Sequence, residues 1–205
     1  MVRRFFLTAA LVLIAGAFAP AIPAAAAADP TALISNLGSR ALEVLGKDAT
    51  QSQRVARFRE LLREDFDVPG IARFVLGRYW NTATEEQRAE FVRLFENYVA
   101  LAYATRLAEY AGEQFKVTGS RLDGDGAIVS SQILRPAGSA PIKVEWRLTG
   151  RNGIYKISDV SVDGISMAVT QRSEFASVIQ HSGGQLQGLI AMLREKAGGT
   201  SARSP

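Results

Sequence analysis

A segregated α+β fold is what the sequence predicts: N-terminal helices, a four-stranded curved antiparallel sheet, then C-terminal helices. Three observations carry this. Apolar residues recur at helical spacing as far as about position 111, alternate with polar residues from Gln114 to Val162, and return to helical spacing from about Thr170. At 47% hydrophobic and 21% charged, the 205 residues have an ordinary globular composition, sufficient for one core.

Asp29-Pro30 provides a cap and a proline suited to a first helical turn, followed by Leu33, Leu37, Ala41 and Val44 or Leu45. Gly46 and Asp48 end that helix. Thr50 can cap a second, striped by Val55, Phe58, Leu62 and Phe66, with its arginines mostly off the stripe. Asp67-Val68-Pro69 opens a short third helix through Leu76. Thr84-Glu85-Glu86-Gln87 has capping-box spacing and opens the longest, to about Ala111. Its stripe is Phe91, Leu94/Phe95, Tyr98, Ala102 and Leu107. At 1.5 Å per residue such a helix reaches about 40 Å, long enough to predict a kink or a protrusion.

Phe115 to Leu122 and Ala127 to Leu134 are strands about the Asp123-Gly124-Asp125-Gly126 turn. Ile142, Val144, Trp146 and Leu148 alternate with Lys143, Glu145, Arg147 and Thr149, one face buried and one wet. After Gly150-Arg151-Asn152-Gly153, Ile154 to Val162 makes the fourth strand of a meander. Helices follow from about Thr170 to Gln180 and, beyond Gly183-Gly184, through Leu186, Leu189, Ile190 and Leu193. The small, polar tail 198–205 reads as disordered. The domain plan is thus 1–28 leader, 29–197 one α+β domain, 198–205 tail.

The leader reading rests on Arg3 and Arg4, an apolar run from Phe5 to Phe18, and an alanine-rich exit ending at Ala28, the three parts of a cleaved signal peptide. The run is short of the roughly 20 residues a bilayer span needs. Because the leader carries those two arginines and no acid, removing it lowers the formal charge from +4 to +2, which gives no argument for nucleic acid. Without cysteine there are no disulfides, thiolate metal sites or cysteine nucleophiles. The one histidine, His181, reads as a solvated loop residue. No nucleophile elbow, phosphate loop or zinc-binding string occurs, and Asp123-Gly-Asp125-Gly lacks the remaining ligands of a calcium loop. No catalytic residue and no metal site is assigned, and an enzyme is not expected.

The uneven feature is aromatic. Phe74, Tyr79, Trp80, Phe91, Phe95, Tyr98, Tyr103 and Tyr110 crowd one stretch, and the tyrosines share no narrow helical stripe. A packed core and a lined cavity both satisfy this pattern.

Phe74-Val75-Leu76-Gly77-Arg78-Tyr79-Trp80, followed by Thr84-Glu85-Glu86-Gln87-Arg88 and Phe91, resembles the "LG-x-x-W…Q-x-x-x-F" segment of the MlaC family, periplasmic phospholipid-binding proteins also known as toluene-tolerance auxiliary proteins. Asp159-Val160-Ser161-Val162-Asp163-Gly164-Ile165-Ser166-Met167, then Thr170-Gln171-Arg172-Ser173-Glu174-Phe175, resembles its second hallmark, "D-V-x-V-x-G-I/V-S…R-x-x-F". The similarity runs from about Asp29 to Ala197, and a hopanoid-associated branch looks similar too. It implies an apolar pocket for lipid acyl chains with the head group at its mouth. It also implies a Gram-negative periplasmic location and, as cargo rather than cofactor, a bound phospholipid. The implied partners are an inner-membrane ABC transporter complex with its MCE-domain subunit and an outer-membrane lipoprotein–porin complex.

By motif, Leu76, Tyr79, Trp80, Phe91, Val160, Val162, Ile165 and Met167 become candidates for pocket wall or entrance. Phe95, Tyr98, Val129, Val144 and Trp146 join them on periodicity. Arg73 and Arg78 are candidate head-group contacts, while Arg172 and Glu174 read as a structural pair or a partner surface. Two rivals fit the same element order. A small enzyme of the nuclear-transport-factor-like kind needs ionisable residues pointing inward from the strands, with Asp159 available. A lipid-free periplasmic adaptor needs an exposed apolar patch in place of a cavity.

Overall fold

The computed structural model describes residues 29–44, 49–107, 113–135, 139–151 and 153–198. The expected leader and all of the expected tail beyond Gly198 lie outside that set, as does Tyr110.

Helix α1 (Pro30–Val44) starts where Asp29 Oδ1 accepts the Thr31 amide at 2.8 Å. The capping boxes form at both threonines. Thr50 and Gln53 exchange bonds ahead of α2 (Gln51–Asp65), and Thr84 and Gln87 do so ahead of α5 (Glu85–Leu107). Between them, α3 (Val68–Leu76) is capped by Asp67 and carries proline in its first turn. It ends at Gly77, whose positive φ of 54° suits glycine. A four-residue helix α4 (Tyr79–Thr82), absent from the sequence reading, leads into α5.

The strands are β1 (Gln114–Asp123), β2 (Gly126–Leu134), β3 (Ile142–Arg151), β4 (Ile154–Val162) and β5 (Ile165–Ser166). They form one antiparallel sheet in sequence order, so the meander has five strands and not the expected four. The extra strand is two residues long, turned back by Asp163-Gly164 with both residues at positive φ. Asp163 fixes the turn: its amide donates to the Lys143 carbonyl at 2.8 Å, and its Oδ1 accepts the Lys143 amide at 3.0 Å. Helix α6 (Met167–His181) begins three residues earlier than read, because Ser166 serves as N-cap, and α7 (Leu186–Gly198) follows.

Two apolar clusters make the interior. In one, α1 and α2 lie on the sheet, joining Ile34, Leu37 and Leu61 to Ala127, Val129, Leu148 and Ile157. In the other, α3, α5, α6 and α7 pack together around Phe91, Phe95, Phe175, Ile179 and Leu189. Phe91 meets both Phe95 and Phe175 with ring centroids 5.8 and 5.9 Å apart, the second edge to face. The clusters meet at Phe58 and Phe66, which belong to both. The amide of Asp67 donates to the Ile157 carbonyl at 2.9 Å, tying the α2–α3 junction to the outer edge of β4. No described helix is long and apolar enough to cross a membrane.

Candidate functional site

A cavity of about 270 Å³ occupies the seam between the two clusters and opens partly to solvent. It is well above the roughly 150 Å³ of an engineered apolar cavity that stays dry and binds benzene. Helix α1 presents Leu37, Gly38, Ala41 and Leu42 to it. Helix α2 and the residue after its end present Phe58, Leu61, Leu62 and Phe66. Val68, Ile71 and Val75 come from α3, Phe95, Val99 and Tyr103 from α5, and Phe115, Ile133, Trp146, Val160 and Val162 from successive strands. Met167, Ala168 and Gln171 close the side formed by α6.

The wall is largely apolar, and most of its polar groups are turned away or occupied. Trp146 Nε1 donates to Ser131 Oγ at 2.8 Å, and that hydroxyl donates to the Val144 carbonyl, so the indole has a polar anchor beneath the sheet face. Its ring packs edge to face on Phe115 at 6.1 Å. Asp159 lies in the wall, but its carboxylate is spent on the protein's own donors. Oδ1 accepts the amides of Val160 at 2.8 Å and Ala168 at 3.1 Å, and Oδ2 accepts the Ser166 hydroxyl at 2.6 Å. Tyr103 stacks on Phe58, and burial pushes its phenol above the ordinary tyrosine range.

Of the candidate pocket residues, the structure brings Phe95, Trp146, Val160, Val162 and Met167 into this wall. The others lie elsewhere. Leu76 and Phe91 point into the helical cluster and are closed off by α6 and α7. Tyr98 packs on Phe175, 5.9 Å away. Trp80 lies beneath the Arg88 guanidinium, and Tyr79 beneath that of Arg78. Val129 and Val144 are buried on the sheet outside the cavity lining, and Ile165, 61% exposed, sits on the edge strand. Arg73 and Arg78 are exposed and line no part of the cavity. Arg172 and Glu174 do not pair with each other: Arg172 covers the Phe74 ring and Glu174 accepts from Gln171. His181 is exposed, as expected.

The wall residues that sequence reasoning missed come chiefly from α1 and α2. Their stripes were visible, yet a stripe facing a gap has the same period as a stripe facing a neighbour. The one local signal was size: Gly38 and Ala41 are small residues on an otherwise leucine-lined face.

Comparison with known proteins agrees with this architecture. A family model described as MlaC protein matches residues 36–195. The intermembrane phospholipid transport system binding protein MlaC of Haemophilus influenzae is 25% identical over 127 residues, and toluene tolerance protein ttg2D of Pseudomonas putida is 29% identical over 126. Each match takes in 60% of this chain and 58% of the relative, so the chain spans less than two thirds of those proteins' length. A phospholipid-binding protein from Ralstonia solanacearum, solved in complex with a phospholipid, has the same fold. Its TM-score is 0.71 at 21% identity, covering 85% of this chain and 99% of that one. A family match that runs from α1 through the sheet to α7, over every element that walls the cavity, places this chain in the MlaC family.

Proposed function

We propose that the protein is a lipid carrier of the Gram-negative periplasm, exported by a cleaved leader, which holds phospholipid acyl chains in the seam cavity and passes lipid between the two membranes. The single observation that carries this reading is the cavity itself: an opening into the interior walled by Leu, Val, Ile, Met and aromatic side chains, with the Trp146 indole and the Asp159 carboxylate satisfied from within. The names of the relatives support phospholipid as the cargo. The two partners that follow are an inner-membrane ABC transporter complex, through its MCE-domain subunit, and an outer-membrane lipoprotein–porin complex. The reading requires no cofactor.

The energetics explain why a carrier is needed. At ~0.8 kcal/mol per methylene, two chains of ~30 methylenes together cost ~24 kcal/mol in water, so unaided diffusion is negligible. Transfer from bilayer to a dry apolar cavity hides the same methylenes at both ends and lies near balance. Organic extraction of the natively purified protein followed by mass spectrometry is expected to release stoichiometric phospholipid. Lipid-free protein would sink the proposal, and a hopanoid in the extract would reassign the cargo. Trp146→Arg, which places a charge in the wall, is expected to lower lipid occupancy in a folded variant.

A further inference from the structure

We propose that Glu113 is the head-group subsite of the cavity and selects lipids that carry a primary ammonium group. This rests on the lipid-carrier reading and adds a head-group chemistry to it. Most polar side chains of the wall already have partners. Ser158 Oγ donates to the Arg147 carbonyl at 3.2 Å, and Gln171 Nε2 donates to Glu174 at 3.1 Å. Glu96 holds Arg63 at 2.8 Å and faces Arg59 at 3.8 Å, and Asp159 accepts its three donors. Glu113 is different. It lines the cavity, and its Oε2 is buried with no hydrogen-bond partner among the described residues. A buried acceptor is ordinarily paired, so one left open beside a ligand cavity marks the place of a ligand donor.

Position and chemistry narrow that donor. Glu113 is itself half-buried and precedes Gln114, an exposed residue of the same wall. Glu113 therefore stands where the lining reaches solvent, at head-group level. A carboxylate only accepts hydrogen bonds and favours a cation. An ethanolamine head supplies a compact ammonium with three N–H donors. A choline head has the charge but no N–H, and a glycerol head has neutral hydroxyls alone.

The test is competitive loading. Delipidated protein is incubated with vesicles holding equal amounts of phosphatidylethanolamine, phosphatidylcholine and phosphatidylglycerol with matched acyl chains, and the bound species are counted by native mass spectrometry. The expected result is phosphatidylethanolamine enriched about tenfold over each competitor. Glu113→Gln brings the three toward equal loading, and Glu113→Lys turns the order toward phosphatidylglycerol. Equal loading of the unaltered protein, or an ethanolamine preference kept in both variants, overturns the head-group assignment while leaving the carrier reading intact. Failure of all three lipids to load overturns both.

Discussion

Arg40 reaches from α1 to two carboxylates at the end of α2, Glu64 at 2.6 Å and the buried Asp65. Burial pushes the Asp65 carboxyl above its ordinary value, and the Arg40 guanidinium pulls it part of the way back. A carboxyl whose folded value exceeds its unfolded one keeps its proton longer in the folded chain, so stability falls as pH rises through that interval. Arg40→Ala removes the opposing charge and extends the interval upward. It is expected to cost about 2 kcal/mol at pH 7 and less at pH 4, where the raised Asp65 carboxyl carries more of its proton. Urea titrations at the two pH values check this, and an equal loss at both would refute it. The Ser131 hydroxyl is a second single-residue support, since among the described residues it alone meets Trp146 Nε1. Ser131→Ala leaves that half-buried indole donor open, with an expected loss of about 1 kcal/mol in the same titration.

At the scale of elements, the joint between α1 and β1 is the tightest in the cavity wall. A Cβ on Gly38 would lie 2.2 Å from Phe115 Cδ1, so the helix meets the strand only because that side chain is absent. Gly38→Ala must displace Phe115, and with it the edge-to-face contact on Trp146. The expected result is a loss of about 1–3 kcal/mol together with less lipid per mole of protein, read by denaturation and extraction. Gly77 plays a similar part between α3 and α6, where the Arg172 guanidinium crosses its open face to reach Phe74. These joints also mark how far the sequence could be read. Thr50, Thr84 and Asp67 named their helices because a cap is a local chemical event. Helix α4 and strand β5 left no periodic trace, since four residues and two residues complete no repeat. The start of α6 was misplaced because Ser166 caps it from the end of the two-residue strand β5, a place that reads as loop.

For the whole molecule, the element order and the single wet face of β3 were legible because each is a repeated pattern of burial. The cavity wall was legible where it coincides with strand alternation or a motif, as at Trp146, Val160 and Met167, and at Phe95 on the stripe of the long helix. Phe91 obeys the same helical period as Phe95, yet Phe175 of α6 packs over it and the seam exposes Phe95. That distinction arises from how α3 and α5 are placed against the sheet, and no local spacing records it. On the carrier reading, cargo stabilises the protein through mass action, since a ligand that binds only the folded state adds RT ln(1 + [L]/Kd). Delipidated protein is therefore expected to melt several degrees lower than the protein as purified, and to recover when reloaded from vesicles. Differential scanning calorimetry checks both halves, and identical melting curves would contradict them.

The seam has one more consequence. Filled, it makes a single continuous interior out of α1, α2, the sheet and the helical bundle. Emptied, it leaves two clusters joined at Phe58 and Phe66 with a gap between them. On the carrier reading, the vacant protein is the strained partner in every exchange. Delivery then depends on an acceptor that pulls harder than the vacancy does, and retrieval from a membrane proceeds with the fold's own stability behind it.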